Sequence, residues 1–156
     1  MQNTINIWGV SAIIGITVLL LGGVALLPKA PTGEGDAVAA GLHWHPELQI
    51  FVDEEKQQIP ANIRLGGGGH QPIHTHTEDV EEGVLHFEFG GVAYTGDLRL
   101  GNFFRIWGNK DMQTAFGVLE RMIVNGEENS EFGEYIVQSE DKIELHYNTL
   151  LQGEVM

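Results

Sequence analysis

The sequence predicts an α+β protein: an N-terminal single transmembrane helix, then a compact β-rich domain of hairpins with one amphipathic helix packed on a small mixed sheet. Three observations carry this reading. An uncharged apolar run occupies Ile5–Leu27. Beyond it, short runs that alternate apolar and polar residues recur between turn signals, the period-2 pattern of half-buried strands. Only Leu100, Phe103, Phe104 and Trp107 adopt helical spacing, at i, i+3, i+4 and i+7.

In the first run, INIWGVSAIIGITVLLLGGVALL, only Asn6, Ser11 and Thr17 are clearly polar. At about 1.5 Å per residue a helix of this length reaches across the roughly 30 Å of a hydrocarbon core. Trp8 suits an interfacial anchor and Pro28-Lys29 the exit. A cleaved secretory signal is the rival, since Ala37-Val38-Ala39 fits a small-residue cleavage pattern. The run is longer than a usual signal core, however, and no basic residue precedes it. The expected organisation is a membrane anchor over 1–28, a Pro/Gly/Ala linker over 29–42 and a histidine-rich domain over 43–156. Lys29 taken alone favours the cytoplasmic side. The acidic, cysteine-free composition behind a signal-anchor-like start instead points to a single-pass protein with its domain outside the cytoplasm.

Within the domain, Leu48, Ile50 and Val52 alternate with Gln49 and Phe51, which predicts a strand. Pro46 limits it, so that His43 and His45 are expected on its entering edge. Asp53-Glu54-Glu55-Lys56 reads as a turn and Gln58–Ile63 as the returning strand. Four glycines, Gly66–Gly69, are expected to form a flexible connection, with a close backbone approach beneath the histidine loop as the alternative. Leu85–Phe89 reads as a strand with Leu85, Phe87 and Phe89 on its apolar side, closed by a turn at Gly90-Gly91. Thr95 or Asp97 caps the helix, and Gly108-Asn109 ends it. Strands are expected over 117–125, 135–137 and 142–147, with Asn125-Gly126 and Glu140-Asp141 as turns. The segments ELQIFVDEEKQQIPANI and ERMIVNGEENSEFGEYIV echo one another as strand, acidic turn and return. His146 is expected on the solvated side of the last strand.

Charge and composition narrow the function. With 22 acidic and 8 basic residues the net charge is −14, which repels a phosphate backbone and excludes nucleic acid as a partner. The absence of cysteine removes disulfides, thiolate zinc sites, iron–sulfur clusters, cysteine catalysis and the blue-copper site. No P-loop, dinucleotide fingerprint or serine-hydrolase motif is present.

What stands out is imidazole. Four of the seven histidines lie in HQPIHTHTEDVEEGVLHFEF, residues 70–89, together with five acidic residues. In extended chain alternate side chains share a face. His74 and His76 therefore point together, as do His86 and Glu88, and His43 and His45 form a third pair upstream. The candidate metal ligands are His43, His45, His74, His76, His86 and Glu88, the last either as a ligand or as an acceptor orienting a ring N–H. His70 ranks last, because its glycine and proline neighbours leave its direction open. For any one histidine a solvated surface position is the ordinary reading. The set of three pairs, each on the side away from the apolar phase, is what points to a transition metal ion, copper or zinc first.

The blocks H-W-H-P, I-P-A-N-I, P-I-H-T-H, G-V-L-H-F-E, L-G-N-F-F-R-I-W-G and I-V-N-G-E, taken in order from His43, resemble those of a family of small membrane-anchored proteins of bacteria and archaea. The resemblance implies an extracytoplasmic histidine-bearing domain and no particular reaction. The C-terminal run V-N-G-E, then Y-I-V-Q-S-E-D-K-I-E-L, resembles β-grasp domains of the sulfur-carrier type, although the chain lacks their terminal Gly-Gly. Gly68, His74, His76 and Glu81 are similar to the opening of the cupin metal motif, without a second motif to complete it.

The expected function is a membrane-tethered binding module that captures copper, zinc or nickel, with no catalytic residue assigned. A cupin-like metalloenzyme is the first alternative and would need an open coordination position beside an acid or base such as Glu78, Glu81 or Glu88. A structural or interaction module, such as a surface-filament subunit, is the second. A protein partner or homo-oligomer is compatible with each.

Overall fold

A computed structural model describes residues 33–65 and 70–149. The anchor expected over 1–28 and the glycine tract lie outside these residues. Among the described residues no helix is long and apolar enough to cross a membrane.

Among the described residues eight strands form two sheets. The first sheet has the order β1-β5-β4, built from β1 (Ala37–Trp44), β4 (Ile73–His74) and β5 (His86–Tyr94), all antiparallel. The second has the order β3-β2-β8-β6-β7. It comprises β2 (Glu47–Val52), β3 (Glu55–Gln57), β6 (Val118–Val124), β7 (Glu127–Glu128) and β8 (Lys142–Asn148). β2 and β8 run parallel at its middle, and the remaining pairs are antiparallel. The two echoing segments are hairpins on either side of β8. Asp53-Glu54 and Asn125-Gly126 turn them, all four residues at positive φ, the two-residue geometry whose twist matches that of paired strands.

Among the described residues the single α-helix, α1 (Leu100–Ile106), follows a 3₁₀ turn at Thr95–Leu98. Its Leu100, Phe103 and Phe104 are fully buried. They join Leu48 and Ile50 of β2, Ile143 and Leu145 of β8, Met122 of β6 and Phe87 of β5 in one apolar core. The aromatic stripe is thus core. Neither Thr95 nor Asp97 caps α1, whose N-cap is Arg99; the Asp97 carboxylate instead accepts the N–H of Tyr94, the N-cap of the 3₁₀ turn, at 2.9 Å. Gly108 and Asn109 end the helical region at positive φ.

Several local expectations are corrected. The segment expected as linker supplies β1 from Ala37 onward, because its small residues pair with Phe87–Tyr94 of β5. His43 therefore lies in a strand of the first sheet, not on the edge of β2, and Pro46 marks the crossing to the second sheet. Gly90 and Gly91 continue β5 rather than turn it. The strand after Asp53 returns at Glu55–Gln57, since the turn needs only two residues. Tyr135–Val137 makes only an isolated bridge, Arg99 to Ile136. The buried Asp141 holds this segment instead, accepting Tyr135 O–H at 2.8 Å, Gln138 N–H at 2.7 Å and Asn125 Nδ2–H at 2.9 Å. His146 is not solvated: its side chain is 12% exposed and stacks on Phe51 at 4.8 Å.

Candidate metal centre

β5 is the spine of the site. Phe87 is fully buried in the core, so His86 and Glu88 face the other way. Strand register then decides who meets them. His43 of β1 lies directly opposite Glu88, and His74 of β4 directly opposite His86. Opposed residues of an antiparallel pair share a face. Three strands thereby carry imidazoles to one side of one sheet.

The H-T-H segment is held by its threonines. Thr75 is buried, and its hydroxyl donates to the Pro60 carbonyl at 2.9 Å while accepting the Ile63 N–H at 3.0 Å. Asn62 Nδ2–H donates to the Thr77 hydroxyl at 3.1 Å. With the threonines clamped to the loop at 60–63, extended alternation turns His74 and His76 to the opposite side. A second constraint comes from Gly83. It has φ +78°, and a Cβ there would collide with the Leu48 carbonyl oxygen. This glycine lets the 79–84 turn close against β2, with Gly83 N–H donating to the Asp79 carbonyl at 2.9 Å. The turn sets the Asp79 carboxylate 2.9 Å from His86 Nε2.

Six histidines form one continuous patch. His45 contacts His43 and His86, each at a ring-centroid distance of 4.6 Å. His86 continues to His74 at 5.2 Å and to His76 at 4.4 Å. His70 closes the far end, 5.0 Å from His74 and 5.5 Å from His76.

The donor atoms divide into two groups, each with all its atoms within 4.8 Å of one another: His43, His45, His86 and Glu88 at the rim, and His70, His74 and His76 further in. Either group could hold a metal ion. For ligand bonds of about 2.0–2.1 Å, tetrahedral donors stand roughly 3.4 Å apart and no pair can exceed about 4.2 Å. His86 Nδ1 to Glu88 Oε1 is 3.4 Å, His43 Nε2 to Glu88 Oε1 is 2.8 Å and His74 Nε2 to His76 Nε2 is 3.1 Å.

Protonation is constrained by neighbours. His74 Nδ1 lies 2.8 Å from the Gln71 carbonyl, which can only accept, so that nitrogen carries the hydrogen and Nε2 of the neutral ring presents a lone pair towards His76. Desolvation in its fully buried position lowers the His74 pKa below the ordinary range, and protonated His76 and His86 would lower it further; the Gln71 hydrogen bond and Glu88 oppose this. His45 is lowered chiefly by desolvation among its neighbours, although its side chain reaches solvent, and next by His86 and His43. For Glu88, burial pushes the carboxyl up, but the His86 hydrogen bond and the field of His43, His74 and His86 outweigh it and hold the group below its usual value. Neutral imidazoles beside an ionised carboxylate are the forms that bind metal.

Each histidine expected to be a ligand lies in this patch. They fall into two groups, whereas the three pairs were expected around one shared ion. His70, ranked last, belongs to the inner group. Asp79 is one of the five acidic residues of the 70–89 segment. Nothing in its spacing announces the contact with His86, because a turn closed on β2 brings it there. No family model, curated protein or solved structure matches the chain.

Proposed function

We propose that the protein is a membrane-tethered module that captures or buffers a transition metal ion outside the cytoplasm, copper or zinc first and nickel next. The observation that carries this reading is the gathering of six histidines from β1, β4, β5 and the adjoining loops into two donor groups. Nitrogen donors with a single carboxylate suit Cu(II), Zn(II) and Ni(II), whereas Mg(II) and Ca(II) prefer all-oxygen sites. The tether rests on the apolar run Ile5–Leu27 and on the resemblance to small anchored proteins. The net charge of −14 adds a field that draws cations to the surface. Metal capture assigns no catalytic role to any residue.

The test is the metal content of the full chain, purified in detergent without a histidine tag and equilibrated with Cu(II), Zn(II) or Ni(II). Stoichiometric retention through extensive dialysis, reduced by His76→Ala and by His45→Ala, supports the reading. Retention of none of the three ions overturns it.

A further inference from the structure

We infer that the patch is a two-ion centre in which Asp79 is the positioning residue of the rim ion. The inference rests on the metal-binding reading and specifies how many ions bind and what orients one of them.

One ion cannot serve the whole patch. From His43 to His70 the rings follow one another through His45, His86 and His74, at centroid steps of 4.6, 4.6, 5.2 and 5.0 Å. Donors to a single ion must all lie within about 4.2 Å of one another. The donor atoms fall into two separate sets, four at the rim and three further in, each set within 4.8 Å.

Each group also has its own orienting contact. In the inner group the Gln71 carbonyl takes the His74 Nδ1–H and leaves Nε2 directed at His76. At the rim, Asp79 Oδ2 stands 2.9 Å from His86 Nε2, while His86 Nδ1 faces Glu88 Oε1 at 3.4 Å. When His86 donates its Nε2–H to Asp79, Nδ1 is the nitrogen left to bind an ion shared with Glu88 Oε1, in place of the His86–Glu88 hydrogen bond of the metal-free chain. Asp79, His86 and the ion thus form a carboxylate–histidine–metal line, in which the carboxylate selects the tautomer and makes the imidazole a better donor. Glu88 Oε1 also contacts His43 Nε2 at 2.8 Å, so the same oxygen joins two rings at one ion. The inner group has nitrogen donors only, and the rim group adds the carboxylate.

Co(II) titrated into the full chain, followed by visible absorption and elemental analysis, reads the stoichiometry. Two equivalents are expected. His43→Ala with His45→Ala should leave one, and His70→Ala with His76→Ala should leave the other, with a different spectrum. All four positions are exposed or half-buried, so these variants keep the core intact. Asp79→Asn should weaken the rim ion alone by about tenfold or more. Asp79→Glu should restore much of that loss, and Asp79→Asn should change nothing once His43 and His45 are gone. A single equivalent in the unaltered chain overturns the two-ion centre while leaving metal binding intact. Equal weakening of both ions by Asp79→Asn overturns the role of Asp79. Failure to take up Co(II), Zn(II) or Cu(II) at all would sink the metal-binding reading itself.

Discussion

The two histidine groups share one face of one sheet and are built in opposite ways. The inner group centres on His74, which is fully buried and held through the Gln71 carbonyl and the Thr75 clamp. The rim group centres on Glu88, with His43 60% exposed and Asp79 reaching in from a turn. The inner geometry is therefore part of the fold, and disturbing it disturbs stability. Rim geometry is set by charge contacts near solvent, where a pair contributes roughly 0–1 kcal/mol. A folded domain can lose the rim group cheaply. It cannot lose the inner one so easily.

That contrast can be broken at several points. The largest effect is expected from Gly83→Ala, which forces a side chain into a positive-φ position against the Leu48 carbonyl. It should cost about 3 kcal/mol in urea denaturation and reduce rim-ion affinity by moving Asp79. A cost below about 0.5 kcal/mol would mean that the turn does not approach β2 as described. Next comes His74→Ala, expected to destabilise the metal-free chain by about 2 kcal/mol through a cavity and an unpaired Gln71 carbonyl. His43→Ala should stay within about 0.5 kcal/mol, and equal costs for the two would erase the distinction. Thr75→Val should cost about 1 kcal/mol by stripping the partners of Pro60 and Ile63, and should weaken the inner ion while sparing the rim ion.

Acidification tests the same contrast in the metal-free chain. His74 and His45 have folded pKa values below the ordinary 6.5, so the unfolded chain binds protons first as pH falls. The stability they contribute is fully present above that value and is lost below it. Glu88, also lowered, contributes stability above about 4.5 that is lost on further acidification. Thermal melting between pH 8 and 5 should therefore show a falling midpoint. His74→Gln should flatten that fall more than His45→Gln does, since His74 is the more completely desolvated. A midpoint that rises on acidification would contradict both assignments.

Much of the second sheet was legible in the residues. Alternation located β2, β6 and β8, the Asn125-Gly126 signal located one hairpin, and the spacing of Leu100, Phe103, Phe104 and Trp107 located α1. These features depend on neighbours within a few positions, which is the range over which pattern and propensity act. The first sheet was less legible. β1 is made of small residues, AVAAGLHW, whose pattern is that of a linker until β5 pairs with it. Gly90-Gly91 has turn chemistry, yet β5 runs on through it, with a shift of register against β1 at that point.

The same division holds at the centre. The sequence alone determined that paired imidazoles would leave each segment on the side away from the core, because a period of two is a property of extended chain. It also determined that no thiolate would join them. Tertiary structure decided that His43 would meet Glu88, that His74 would meet His86, and that Asp79 would close on His86. These meetings depend on strand register and on one turn folding against another sheet, and a shift by a single residue in either would send every one of these side chains to the opposite face.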